Sequence, residues 1–312
     1  MKVLFLDSGF DETNVFFRKE REKVEGCTSE CLYKKTKNRG LSIKIIQAIG
    51  VYMFSPALKL IYGNWKKHID EYDVFIVVAR KSAKYAIKYI RKHTNKRVIV
   101  WYWNIVTKRE LHPEYCRKLG CETWSFDKSD CLKYQMKFGD TYYFPPVDAK
   151  PRKNQYGVFF VGINRPGRKE YLDNMGEYLS NHNITYKFNL TAIPTDRKSV
   201  QQKFSRRMSY DEVIMAIRES QCVLDLNREN QSGLTLRPLE TLFYNKKLIT
   251  NNKSITKYYA YNKDNTYIIK DANFEGLDSF INKKNVDVSD EVLEYYSFSN
   301  WLSRIINGIE GK

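Results

Sequence analysis

Short apolar runs that alternate with stretches of helical periodicity constrain this chain more than any other feature. VLFL at 3–6, VFIVV at 74–78, VIVWY at 98–102 and TWSF at 123–126 are rich in β-branched and aromatic residues. Runs that are apolar on both faces suit parallel strands buried between helical layers. Between two of them, KSAKYAIKYIRKH (81–93) places Ala83, Ala86, Ile87 and Ile90 at spacings of three and four, which makes one apolar helical face. Strand, helix, strand is a β-α-β unit, and its repetition predicts an α/β fold on a parallel sheet.

The pattern stops over 144–156, FPPVDAKPRKNQY, where Pro, Lys and polar residues concentrate, and restarts with VFFVG at 158–162. A helix is expected from about Arg168 to His182. Ser209 and Glu212 have capping-box spacing and open a helix through Val213, Ile214 and Ile217 that leads to the strand CVLDL at 222–226. Another helix starts near Thr235 with Pro238 in its first turn, where a missing N–H is harmless, and KKLIT at 246–250 is a further strand. A length of 312 residues suits two domains. The expectation is a first domain over 1–147, a linker over 148–156, a second domain over 157–295, and a terminal helix over 296–312 that packs back on the first. Both domains are read as Rossmann-like halves facing a cleft.

With 42% hydrophobic and 14% aromatic residues against 29% charged, the composition is that of a globular protein. The net charge of +17 is uneven: residues 1–150 carry +12 and the remainder +5. Such a surface suits an anionic membrane, a phosphorylated substrate or nucleic acid. The chain shows no RNP aromatic motif, zinc finger or basic-region heptad, so nucleic acid is not an expected partner, although a basic nucleic-acid-binding protein is the rival reading. Cys27 and Cys31 would make one half of a metal site, but no second half follows and reduced thiols are expected. The opening MKVLFLDSGF lacks the features of a secretion signal, and no 18-residue uncharged apolar run occurs. A cytoplasmic protein follows, at most peripheral at the inner face of the plasma membrane. IIQAIGVYMF (45–54), with Tyr62, Trp65, Lys66 and Lys67 after it, reads first as a core helix and second as a surface-inserting segment.

The most informative stretch is LDLNRENQSGLTLRPLETLFYNKKLITNN, 224–252. Its loop, Asn227 to Gly233, leaves the carboxyl end of a strand and precedes a helix amino terminus, where free N–H groups and the helix dipole favour an anion. Gly233 permits close approach of backbone to a ligand. Arg228 and Arg237 add positive charge, and Arg237 and Glu240, three apart, share a helix face expected to point into the cleft.

These residues resemble the donor-binding domain of GT-B glycosyltransferases, especially those of capsular and lipopolysaccharide synthesis and the related spore-protein glycosyltransferases. The likeness rests on QSGLTLRPLE followed by KKLIT, and is motif-specific from about 158 to 252. It implies that backbone N–H groups around Gly233 and Leu234 hold a pyrophosphate and that Glu240 accepts from ribose hydroxyls. Gln231 stands where many members have a glutamate. With Asn227 and Ser232 it completes the loop's donor contacts. FFVGINRPGRKEYL (159–172) resembles the GT-B loop that opens the donor site, with Gly162 after the strand and Arg165, Arg168 and Lys169 placed to neutralise a leaving nucleotide diphosphate. No DxD tripeptide occurs, so metal independence is the expectation and no cofactor is called for. On the acceptor side, Asp7 or Asp11 is the candidate general base, His112 the alternative, and Trp103 and Asn104 of WYWN the candidate acceptor contacts. The reading is metal-independent transfer of a sugar from a nucleotide-diphosphate sugar to a surface-polysaccharide or lipid-linked glycan acceptor, with an anionic membrane surface as a further partner. A GT-B-like protein that binds nucleotide without turnover is the remaining alternative.

Overall fold

The computed structural model describes residues 1–9, 11–34, 62–146, 152–192, 204–228, 231–270 and 274–312. The chain forms two compact units, Met1–Asp140 with Trp301–Gly311, and Thr141–Asn300 with Lys312.

The first unit is built on a six-stranded parallel sheet in the order β2-β1-β3-β4-β5-β6. Its strands are β1 (Val3–Asp7), β2 (Cys27–Cys31), β3 (Val74–Val78), β4 (Arg97–Tyr102), β5 (Glu122–Ser125) and β6 (Lys137–Phe138). The helices between them are α1 (Glu12–Glu22), α2 (Lys84–His93), α3 (Pro113–Lys118) and α4 (Lys128–Tyr134). The apolar runs are strands whose side chains are covered on both faces: Leu4, Phe5, Leu6, Phe75, Ile76, Val77, Ile99, Val100 and Trp101 are all fully buried, and only Val78, at the end of its run, is half-buried. Ala86, Ile87 and Ile90 of α2 close one face, as their spacing requires. Tyr62 and Trp65 are buried as well, with Trp65 Nε1 donating to Leu32 O at 3.1 Å. They are core aromatics and have no surface with which to meet a membrane. The apolar segment 45–54 lies outside the described residues.

The second unit has a five-stranded parallel sheet in the order β11-β10-β9-β7-β8. It consists of β7 (Tyr156–Ile163), β8 (Tyr186–Thr191), β9 (Ser220–Asp225), β10 (Lys247–Thr250) and β11 (Thr266–Ile268), with α5 (Arg168–Asn181), α6 (Tyr210–Arg218), α7 (Leu236–Phe243), α8 (Leu277–Asn282) and α9 (Asp290–Tyr296). The Ser209–Glu212 capping box is present in both directions.

Residues 141–146 belong with the second unit. Tyr143 N donates to Tyr296 O and Phe298 N to Tyr143 O, both at 2.9 Å, and Tyr142 and Phe144 pack on Phe298. Of the stretch expected as linker, 148–151 lies outside the described residues and Tyr156 already starts β7. The last helix, α10 (Phe298–Asn307), enters the first unit at Trp301. The Trp301 ring lies 4.9 Å from that of Trp101 and 6.3 Å from that of Phe5, and Arg97 donates to the carbonyls of Ile305 and Ile306.

Candidate functional site

In the second sheet β7 is followed by β8 on one side and β9 lies on the other, so the loops leaving β7 and β9 diverge at the carboxyl ends. Open parallel sheets bind ligands in the crevice that such a reversal leaves. Arg168 spans it: one guanidinium N–H donates to Ile163 O at 2.9 Å and another to Leu226 O at 2.7 Å, tying the two strand ends together. Gly162 makes room for that span, since a Cβ there would stand 2.8 Å from the Phe160 ring and 3.4 Å from Arg168 Nη1. Gly167 starts α5 at φ +74°, a left-handed conformation glycine adopts without strain.

Arg165 and Arg228 gather at the same place. Burial lowers the pKa of both Arg165 and Arg168. The charge of Arg228 adds to this at Arg165; at Arg168 those of Arg165 and Arg228 add to it, while the nearby Asp225 carboxylate opposes it. Three guanidiniums thus repel one another, and among the described residues none of them makes a direct ion pair with a carboxylate. Lys169 is a correction to the sequence reading. Its ammonium bonds Asp173 at 2.6 Å one turn along α5, in an exposed pair on the helix itself.

The β9 exit is locked to its neighbour. Asn227 N donates to Asn251 Oδ1 at 2.7 Å and Asn251 Nδ2 returns to Asn227 O at 3.3 Å, while Asn252 Nδ2 reaches Ser232 O at 3.3 Å. Gln231 N closes a turn onto Arg228 O at 3.1 Å. Gly233 and Leu234 are buried, and α7 begins after Thr235 without a side-chain cap, leaving its first N–H groups for another partner. Among the described residues, both polar atoms of the Asn227 side chain, and Asn164 Oδ1, are buried with no hydrogen-bond partner.

Glu240 is a second correction. It is 0% exposed, with Oε1 accepting from the Tyr210 hydroxyl at 2.8 Å and Oε2 held by Arg237, and the Tyr143 hydroxyl lies 3.0 Å from that of Tyr210. Pro238, Leu239 and Thr241 are buried on either side of it, so this stretch of α7 is enclosed and the carboxylate faces inward. A ribose cannot reach an oxygen so placed, and Arg237 is committed to the same pair. Burial raises the Glu240 pKa, opposed by Arg237 and Tyr210.

Asp225, at the end of β9, is 5% exposed. Burial pushes its carboxyl up to about 6, against the pull of the Thr235 hydroxyl and of the Arg237 and Arg168 charges. The folded state therefore binds this proton more tightly than the unfolded chain. The resulting stability is fully present below the ordinary value of 3.8 and is lost as pH rises through about 6. Asp225→Asn should remove that slope and raise the melting temperature at pH 7, by up to about 3 kcal/mol of stability at 1.36 kcal/mol per pKa unit. Melting curves from pH 4 to pH 8 check it, and a variant with the parent's profile would refute the assignment.

In the first unit Asp7 is also corrected. It is buried, with one oxygen held by Arg18 and by Gly9 N at 3.2 Å and the other by Arg21 at 3.0 Å, so it anchors α1 to the sheet and is engaged by two arginines away from solvent. Asp11 is exposed and caps α1, accepting from Asn14 N at 3.1 Å. Trp103 packs edge-on against Phe17 at 5.3 Å, and Asn104 beside it is half-buried at the β4 exit.

Sequence reasoning passed over Asn251, Asp225 and Tyr210. A lone carboxylate in the apolar strand CVLDL and a pair of asparagines directly after KKLIT were signals for the first two. Tyr210 had none, because its partner Glu240 is thirty residues away.

No protein-family model matches the chain, and no curated protein matches it by sequence. Solved structures do match. An α,α-trehalose-phosphate synthase (UDP-forming) from Burkholderia xenovorans, in complex with glucose-6-phosphate, aligns at a TM-score of 0.57 and 9% identity, over 99% of both chains. A structure of S. aureus MnaA with UDP aligns at 0.55 and 10% identity, over 98% of this chain and 95% of that one. UDP-GlcNAc 2-epimerase from Neisseria meningitidis bound to UDP-GlcNAc aligns at 0.53 and 12% identity, over 99% of both. At these identities the likeness establishes the fold, two α/β domains on parallel sheets in the GT-B manner.

Proposed function

We propose that the crevice between β7 and β9 binds the diphosphate of a nucleotide sugar and that the enzyme transfers the sugar to a surface-polysaccharide or lipid-linked glycan acceptor. The observation that carries this is the trio Arg165, Arg168 and Arg228, three mutually repelling cations with no direct carboxylate partner among the described residues. A diphosphate would relieve the repulsion, and charge developing on the leaving nucleotide would be met by groups already in position. The uncapped start of α7 supports the same ligand, as do the UDP and UDP-GlcNAc in the structural neighbours. On the acceptor side Asp11, exposed at the start of α1, is the remaining carboxylate of the two singled out in the sequence, with Trp103 and Asn104 beside the β4 exit. The site of action is the cytoplasm or the inner membrane face, where the +12 of the first 150 residues would meet anionic lipid.

A panel of nucleotide sugars read by thermal shift tests the donor. A ligand that binds only the folded protein at 100 times its Kd adds about 2.7 kcal/mol, so the right nucleotide should stand clear of the others. A flat response across the panel would end the proposal. Turnover should also survive EDTA, because the arginines supply the charge that a bound metal would otherwise bring. Loss on chelation, restored by magnesium or manganese, would show a metal-dependent enzyme.

Several structural neighbours are UDP-GlcNAc 2-epimerases, and the same anion site would serve that chemistry. A nucleotide-sugar epimerase is accordingly the second reading. It alone predicts that the proton NMR spectrum of the nucleotide sugar changes when no acceptor is present, whereas transfer releases nucleoside diphosphate in step with acceptor added.

A further inference from the structure

The first unit contains a cavity of about 600 Å³ at the carboxyl side of β3 and β4 that no step above uses. Its walls are Val106, Leu111, Tyr115 and Tyr134, and Lys81, Lys84 and Lys108 stand around them. The Lys84 ammonium lies 5.0 Å from the Tyr115 ring, so a cation and an aromatic face share one lining.

The cavity is held open by its own framework. Its wall is the loop between β4 and α3, tied down at four points: Val106 N donates to Asp130 at 2.6 Å, Thr107 N to Glu110 at 3.2 Å, Lys81 N to Arg109 O at 3.0 Å, and the Tyr102 hydroxyl to Leu111 O at 2.7 Å. Glu110 is the one acidic side chain in the lining, and it is already matched. Its oxygens are met by Arg80 at 2.7 Å and by Thr107, and it is 4% exposed. The charge presented to a guest is therefore positive. A preformed, mostly apolar pocket with a few placed cations is built for an amphiphile with an anionic end.

We propose that this pocket binds the lipid-phosphate part of the acceptor, a phosphate ester on an apolar chain, with the phosphate on Lys84 and Lys108 and the chain against Val106, Leu111, Tyr115 and Tyr134. The inference rests on the glycosyl-transfer reading above and deepens it by giving the acceptor a chemical class. Charge complementarity selects the anion, and the apolar walls select the chain. Neither requirement is met by a polar glycan alone.

Decyl phosphate below its micelle concentration is the probe, followed by isothermal titration, with decanol and inorganic phosphate as the two half-probes. The wild-type chain should bind decyl phosphate saturably, one per chain. The double variant Lys84→Gln/Lys108→Gln should weaken it about a hundredfold, the scale of two lost charge-assisted contacts, and leave decanol binding unchanged. Val106→Asp, which puts a carboxylate into the apolar wall, should abolish binding of both decyl compounds. The proposal is overturned if the wild type does not bind decyl phosphate, if the double variant binds it as the wild type does, or if inorganic phosphate competes at equal concentration. UDP-dependent melting shifts on the same samples separate the two readings. A retained UDP shift with no decyl phosphate binding removes the pocket assignment alone. Bound decyl phosphate without any nucleotide shift removes the donor reading and leaves the pocket an amphiphile site.

Discussion

Replacing Glu240 by alanine is expected to destabilise the second unit by about 3–5 kcal/mol, the usual consequence of removing one member of a buried ion pair. The carboxylate is 0% exposed and holds the Tyr210 hydroxyl and Arg237 at once, while Arg237 itself is 19% exposed. Without Glu240 the guanidinium stays largely out of water with its charge unmet, and the Tyr210–Tyr143 hydroxyl pair loses the acceptor that orients it. Glu240→Gln keeps the shape and an acceptor for Tyr210, so it should lose less. Urea unfolding of the two variants beside the parent measures the difference. If Glu240→Ala unfolds within 1 kcal/mol of the parent, the buried pair is not holding α7 and the inward orientation of Glu240 is mistaken.

The second large effect is expected at Arg168. Alanine there removes the one guanidinium that joins the ends of β7 and β9, and with it the central cation of the trio. Each charge-assisted hydrogen bond is worth about 1.5–3 kcal/mol, so nucleoside-diphosphate affinity should fall by about one to two orders of magnitude. Arg165→Ala and Arg228→Ala should weaken binding less, because neither side chain ties the strand ends. Arg168→Lys should not restore the parent affinity, since an ammonium on a flexible stem lacks the planar fork that reaches both Ile163 O and Leu226 O. Titration calorimetry with UDP or GDP, whichever the panel selects, gives the ranking. Equal affinities for the parent and Arg168→Ala would place the diphosphate elsewhere.

Much of this molecule is legible before folding. The apolar runs identify their own strands because a parallel strand covered on both faces needs unbroken apolar sequence, and Val74–Val78 and Arg97–Tyr102 lie where the runs do. Caps are equally local: Ser209 and Glu212 are three residues apart, and their reciprocal bonds need nothing beyond one helical turn. The placement of the residues of the proposed anion site belongs to this class too. Gly162, Arg165, Arg168 and Arg228 follow strand ends in sequence, and in an open parallel sheet the carboxyl ends are where ligands bind.

What tertiary structure alone decided is the direction each charged side chain takes. Asp7 and Glu240 carry every sequence mark of site carboxylates, one after the first strand and one on the helix behind the glycine loop. Their partners, Arg18 and Arg21 for Asp7 and Tyr210 for Glu240, come from separate elements, and those contacts turn both inward. Periodicity reports which face of an element is apolar, but a carboxylate on that element goes to the nearest cation able to offset its burial. For Glu240 that cation, Arg237, stands three residues along the same helix and is legible in the sequence, but Tyr210, and for Asp7 both arginines, are brought near only by the folded chain.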